Sequence, residues 1–303
     1  MIDNILTKQI LSEIIIFDFL DYPLTILQIQ KFLAVEVKVS DLLLALSGEY
    51  LSEKIKQKNG FYFLAGQEEL VEKRLSRYGI SAEKFKKVRR VSRLLGFFPG
   101  VRGLALYSSL SLFNAKADSD LDFFIVGAKG HLWSTRFFVN LFLKIFHLRP
   151  TPQKSQDGIC ASYWVDEDAL DISVANDSPV DYYYYWGAAS FIFIYDQNKV
   201  AERFFFANSW LKDFVPAYYP NQVIGKVIIG NFLMAIKRLM EFILFLPSEK
   251  FYQNIQLRIL PERYKKIQNL DKRVIINNQM IKLHDNDKRQ KFNQLVAEKL
   301  SSL

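Results

Sequence analysis

The sequence predicts an α+β fold: a helical N-terminal unit closed by a hairpin, a central mixed sheet with flanking helices, and a helical C-terminal region. Three observations carry that prediction. Helical patterns fill most of residues 1–65 and return beyond 175. Between about 99 and 175, strand-like and helix-like segments alternate. Half of the 303 residues are hydrophobic, enough for a sizeable core and for two or three domains.

The first unit, residues 1–66, reads as three helices and a hairpin. "ILTKQILSEIIIFDFL" is helical and is closed by "DYP". Thr25 is the expected N-cap of "ILQIQKFLA", and Ser40 that of "DLLLALSGEYL". In "EKIKQKNGFYFLAG" charged and apolar residues alternate around Asn59 and Gly60, a dipeptide suited to a two-residue hairpin turn. That order is winged-helix-like, a layout in which the third helix enters a DNA groove and the hairpin touches phosphates. The third helix offers few basic or amide side chains for base edges, so packing or dimerisation competes with a DNA role. Lys54, Lys56 and Lys58 on the hairpin are the candidates for phosphate contact.

Residues 67–98 read as two connecting helices. The second carries the densest basic run of the chain: Lys84, Lys86, Lys87, Arg89, Arg90 and Arg93. Such a run serves as a solvated face or lies beside a polyanionic substrate. Over residues 99–175, "VRGLALYS" reads as a strand and a short helix begins near Ser109. Strand "DLDFFIVG", a helix over about 132–148 and strand "GICASYWV" follow. Residues 176–303 read as helices: "DYYYYWGAASFIFI", "KVAERFFFANSWLKDF", a longer one over about 222–246, and "DNDKRQKFNQLVAEKL". Their aromatic runs suit packing faces, since aromatic side chains contribute mainly through burial.

Charge and cysteine usage narrow the function classes. Net charge is +8, and residues 221–303 hold 15 basic against 7 acidic residues, so the whole excess sits there and suits an anionic partner. Cys160 is the only cysteine, which excludes internal disulfides and a thiolate cluster and fits a reducing, cytoplasmic compartment. The start "MIDNILTKQIL" shows no signal-peptide pattern. The longest apolar stretches, 182–195 and 227–236, fall short of the roughly 18 to 20 residues of a bilayer span, so no membrane partner is expected. His131, His147 and His284 share no zinc-ligand spacing, and no Walker-type glycine loop or dinucleotide fingerprint is present.

The chemistry concentrates in "YSSLSLFNAKADSDLDFFIV", residues 107–126. Asp120 and Asp122 are separated by one residue, so on a strand both carboxylates project from the same face. Burying such a pair unpaired is costly, and a divalent cation resolves the conflict. Ser108 and Ser109 lie where a strand turns into a helix, a place where backbone N–H groups and a hydroxyl can hold phosphate oxygens. Ser119 precedes the pair, and Arg136 on the following helix is within plausible reach of a triphosphate.

These residues resemble the polymerase-beta-like nucleotidyltransferases, marked by a Gly-Ser turn followed by Asp-x-Asp on the next strand. "KADSDLDFFIV" is similar to the minimal bacterial and archaeal members. The resemblance implies a nucleotidyltransferase-type mixed sheet over residues 99–175. Asp120 and Asp122 would bind Mg2+ or Mn2+, while Ser108, Ser109, Ser119 and Arg136 would hold a nucleoside triphosphate. The nucleoside monophosphate would pass to an acceptor with release of pyrophosphate. Two departures stand out. The turn glycine is replaced by Ser108, and where the family has a third carboxylate the mid-strand residue is Ser162. The nearest acids are Asp166, Glu167, Asp168 and Asp171, with Asp168 or Asp171 as the third-ligand candidates. Those departures leave a second expectation, a non-catalytic nucleotide-sensing or DNA-binding regulator.

Overall fold

The structure, a computed structural model, describes residues 2–151, 154–178, 181–220 and 226–301. The N-terminal unit runs α1 (Ile2–Asp18), β1 (Leu24–Thr25), α2 (Ile26–Phe32), α3 (Val39–Ser47), α4 (Glu49–Lys54), β2 (Ile55–Lys58) and β3 (Phe61–Leu64). Its antiparallel strands lie in the order β1-β3-β2. Thr25 caps α2 with a reciprocal pair: Gln28 N donates to its Oγ1, and Thr25 N donates to Gln28 Oε1. At the hairpin tip Asn59 and Gly60 both adopt positive φ, 54° and 81°, as the expected turn requires. Ser40 does not cap the next helix, which begins at Val39 with Lys38 in the cap position; the Ser40 hydroxyl donates to Asp41 instead.

Residues 69–97 form one 29-residue helix, α5 (Glu69–Phe97), where two helices were expected. Gly79 lies in it without breaking it. The helix is held along its length by polar ties to one loop, residues 112–119. Arg74 Nη1 donates to the carbonyl oxygens of Leu112 and Phe113, and Arg77 Nη1 to Asn114 Oδ1. Ser81 Oγ accepts from Ala115 N, and Lys84 Nζ donates to the carbonyls of Ala117 and Ser119.

Next come β4 (Val101–Leu106), α6 (Ser108–Ser111), β5 (Leu121–Gly127), α7 (Leu132–Ile145) and β6 (Ile159–Asp166). The C-terminal part contributes α8 (Tyr182–Ala189), β7 (Ile192–Asp196), α9 (Val200–Ala207), α10 (Asn231–Leu244), α11 (Glu249–Arg258), α12 (Glu262–Lys265), β8 (Val274–Ile276), β9 (Met280–Leu283) and α13 (Arg289–Ser301). These strands build a six-stranded mixed sheet in the order β7-β4-β5-β6-β9-β8, with β5 and β6 parallel and the other pairs antiparallel. The fold is therefore α+β, but the region after 175 is not wholly helical, since it supplies half of the sheet. The run "FIFIY" looked helical because a strand buried on both faces shows no alternation. The first residues of the expected long helix, 222–225, lie outside the described residues; its described part is the shorter α10.

Both faces of the sheet are covered. Leu121, Phe123 and Ile125 pack in one core cluster with residues of α5 and α7, while Phe124 and Val126 pack in another with α1, α8 and α9. Phe124 alone meets the rings of Tyr163, Phe191 and Phe204 at centroid distances of 5.0, 4.9 and 5.3 Å. Burying such a ring contributes about 2 to 3 kcal/mol. The even-numbered positions of β5, including Asp122, point to the α8 and α9 side.

Candidate metal and nucleotide site

Asp120 leads into β5 and Asp122 lies within it, and their carboxylates converge as their spacing predicts. Pairing of β5 with β6 places Cys160 directly beside Asp122, and a register irregularity follows between Asp122 and Phe124. One ligand atom from each of Asp120, Asp122 and Cys160 falls within 4.8 Å of the others, and all three residues are partly exposed. The third group that could ligate a metal beside the pair is thus a thiol rather than a carboxylate. Its place is set by strand register, which a count along the chain does not reveal.

Asp168 and Asp171 do not reach this point. From Cys160 to Asp166, β6 runs parallel to β5, which carries its far end roughly 20 Å away at about 3.3 Å per residue. There Asp168 pairs with Lys129 at 2.6 Å, and Asp171 Oδ1 accepts from Ser173 N at 2.8 Å.

Electrostatics distinguish the pair from ordinary surface acids. Burial raises the Asp120 carboxyl above its usual range, and bonds within the loop and to Cys160, with the charge of Lys84, oppose the rise. Asp122 rises further, through burial and then the neighbouring Asp120 charge; hydrogen bonds from Cys160 and Ser108 pull the other way. Burial, with Asp122 next, also pushes the Cys160 thiol up. Three groups that resist ionisation together would all be relieved by one cation. Two carboxylates suit Mg2+ or Mn2+, and the sulfur shifts the preference from Mg2+ toward softer dications.

The serine turn meets the pair. Ser108 has φ 66°, the left-handed region that the missing glycine adopts freely, and its side chain bonds Asp122. The Ser108 carbonyl accepts from Ser111 Oγ at 2.8 Å, and Ser109 O from Asn114 N at 2.8 Å. Helix α6 is only four residues long, so the phosphate-holding capacity expected of a helix start is a single turn of backbone. Ser119 serves the loop: its hydroxyl donates to Lys116 O and its carbonyl accepts from Lys84. Arg136 is buried and donates to Gln256 Oε1 at 2.5 Å, facing α11 rather than the pair.

A cavity of about 500 Å³ opens over Ser108, Asp122 and Cys160. Tyr107, Tyr183, Tyr184 and Phe191 line it together with residues 282–289, Arg149 and Arg263. Ser162 joins Cys160, Tyr107 and His284 in a polar cluster, its Oγ lying 3.4 Å from the thiol, 3.2 Å from the Tyr107 hydroxyl and 2.9 Å from His284 Nε2. Burial, then the nearby Lys282 charge, holds His284 down to about 3, so its ring is neutral. Lys282 and Arg289 are engaged by Asp287, and Arg289 also by Asp181. Arg149 and Lys288 are exposed at the cavity lining, with Arg263 beside Asp285 at 3.2 Å. None of His284, Arg149, Arg263 or Lys288 carries a local motif. The excess of basic residues after 220 was the only sequence sign of this C-terminal part of the lining.

The basic run of α5 divides by exposure. Lys84 is buried and binds Asp157 as well as the two loop carbonyls, so it fixes the lead-in to Asp120. Lys87 also binds Asp157, Lys86 pairs with Glu83, and Arg89, Arg90 and Arg93 are exposed.

Comparison with known proteins finds no matching family model, no matching curated protein and no matching solved structure.

Proposed function

We propose that the chain is a metal-dependent nucleotidyltransferase, acting at the Asp120–Asp122–Cys160 site on a nucleoside triphosphate held in the adjoining cavity. One observation carries the proposal: Asp122 and Cys160, with Asp120 beside them, and the exposed cations Arg149, Arg263 and Lys288 meet at one cavity, which Asp122, Cys160 and the three cations line. A nucleoside triphosphate bound with a dication is anionic at its phosphates, cationic at its metal and aromatic at its base, and the cavity offers a counterpart to each. Asp120 and Asp122, with Cys160, would hold the cation, which neutralises phosphate charge and lowers the barrier to attack by an acceptor oxygen. Arg149, Arg263 and Lys288 are suited to phosphate oxygens, and the rings of Tyr107 and Tyr183 to a base. Neutral His284 and Tyr107 fix the Ser162 hydroxyl beside the thiol. In the transfer the acceptor oxygen bonds the α-phosphorus and pyrophosphate leaves. Positioning and charge neutralisation supply the acceleration.

The mixed sheet with a serine turn and an Asp-x-Asp strand supports the polymerase-beta-like reading. The order α1, β1, α2, α3, α4, β2, β3, with the short α4 added between α3 and the hairpin, supports a winged-helix-like reading of the first unit. DNA binding by that unit is less favoured. The helix α3 exposes Asp41, Leu43 and Leu44, while on the hairpin Lys56 bonds Ser52 O and Lys58 pairs with Glu72. One observation favours nucleotide sensing without transfer, namely a thiol in place of the third carboxylate.

The test measures thermal shift and transfer of α-phosphorus label with each nucleoside triphosphate and Mg2+ or Mn2+. It compares the native chain with Asp120→Asn/Asp122→Asn. Dication-dependent transfer that the double variant loses, at unchanged folding, supports the enzyme. Dication-dependent binding without transfer to a broad acceptor panel assigns a sensor, and no nucleotide binding at all rejects both.

A further inference from the structure

Helix α10 is inside out. Lys237 is fully buried, its Nζ donating to the carbonyls of Gly96 (2.8 Å) and Val101 (2.5 Å) and to Gln197 Oε1 (3.0 Å). One turn on, the Glu241 carboxylate accepts from Gly100 N at 2.9 Å and takes Arg102 Nη1 and Nη2 at 2.6 and 3.1 Å. The polar side of the helix is therefore locked against the start of β4, and its apolar side faces out. Phe232 is 77% exposed, Leu239 61%, Phe242 73% and Leu246 72%. Phe232, Ala235, Leu239 and Phe242 recur at three- and four-residue steps, the spacing of one helical stripe, and Leu246 follows just past the helix end. Rotating the helix would break every one of those buried polar bonds, so the exposure is built in.

The charges around the stripe name its partner. Residues 226–260 contain two acids, and both are turned inward onto backbone amides: Glu241 onto Gly100 N, and Glu249 onto Trp133 N and Ser134 N. Among the bases, Lys237 is buried and Lys226 pairs with Asp196, while Arg238, Lys250 and Arg258 are exposed. On α11, Lys250 adjoins Phe251 and Arg258 adjoins Ile259, and both of those apolar side chains are exposed. The outer surface of this segment is thus apolar and cationic together, the composition of a helix that lies in the headgroup layer of an anionic bilayer. A second copy fits less well, because a two-fold pairing would bring each cation against cations of the same face with no carboxylate between them.

We propose that α10, with α11 beside it, docks the protein on anionic lipid surfaces by inserting Phe232, Leu239, Phe242 and Leu246 at the interface, without crossing it. No described helix is long and apolar enough to cross a membrane. Arguments from span length do not bear on a helix that lies flat.

The test is flotation of the full chain with vesicles of neutral phosphatidylcholine, with and without about one-third phosphatidylglycerol, at low and high salt. The expected result is binding to the anionic vesicles that weakens in salt, with at least about tenfold loss of affinity in Phe232→Ser/Phe242→Ser and a smaller loss in Arg238→Ser. Both phenylalanines are exposed, so folding, followed by circular dichroism, is expected to be unchanged. Absence of vesicle binding overturns the proposal. So does a native dimer in solution that becomes monomeric in the double variant, which would assign the face to a second copy.

Discussion

The two ends of the β5–β6 pair are both acidic, yet they are handled in opposite ways. At the far end Asp166, Glu167 and Asp168 meet partners supplied by the chain. Asp166 takes the N–H groups of Gly130 and Asp168, Glu167 lies near Arg102 and Arg203, and Asp168 pairs with Lys129. At the near end, Asp120 and Asp122 face a serine, a thiol and each other. The nearest cation, Lys84, is spent on Asp157 and loop carbonyls. The contrast teaches that acidity by itself marks nothing. Acids the protein neutralises hold it together, and acids it leaves open are where a cation from outside would act, as proposed above.

The strongest way to break that comparison is to neutralise each end in turn. Asp120→Asn/Asp122→Asn is expected to lower dication-dependent transfer by about 10³-fold, whereas Asp168→Asn/Asp171→Asn changes it less than about threefold; radiolabel transfer reads both. Next in size is Lys84→Met, which leaves Asp157 short of a buried partner and frees the loop before Asp120. Chemical denaturation should show a loss of about 3 kcal/mol.

The nature of the third donor sharpens the comparison further. Cys160→Asp should move dication preference toward Mg2+ by about tenfold relative to Mn2+, about 1.4 kcal/mol, read by competitive titration. A smaller effect follows from protonation. Both open carboxyls titrate above the ordinary 3.8, so the folded chain without metal keeps protons that the unfolded chain releases. Their contribution to stability therefore falls as pH rises from about 4 toward neutrality. Saturating Mn2+ displaces those protons, and its thermal stabilisation should be larger at about pH 8 than at about pH 5.5. The Asp120→Asn/Asp122→Asn variant should show no such difference. Smallest is Ser108→Gly, where relief of the left-handed angle opposes loss of the bond to Asp122. The expected change in stability is under about 1 kcal/mol.

What the sequence disclosed and what it hid follow from range. The cap at Thr25, the turn at Asn59 and Gly60, and the pair Asp120 and Asp122 act over one to three residues, and each was legible, although the reciprocal bond between Thr25 and Gln28 was not read. The strand β7 was missed because two-sided burial removes the alternation that marks a strand. The hairpin of β8 and β9 was missed because "INNQM" carries no glycine at its turn. Cys160 enters the site through register between two strands almost forty residues apart, and His284 through a strand pairing more than a hundred residues from Tyr163. Lys84 looked like one more surface base, and only the loop it grips shows otherwise. Asp168 and Asp171 were chosen for nearness along the chain, and the parallel direction of β6 carries them away.

The hairpin of β8 and β9 has a consequence for biosynthesis. The acidic pair and Cys160 are all made by residue 160, but the lining from His284 to Arg289 is made more than a hundred residues later and joins beside a strand already present. A nascent chain can therefore complete its first unit and most of the sheet while the cavity still lacks that lining. Any gain in stability from a ligand of this cavity can act only once residues 282–289 have been made, which makes pulse-labelled ribosome-bound chains the natural place to watch that lining arrive.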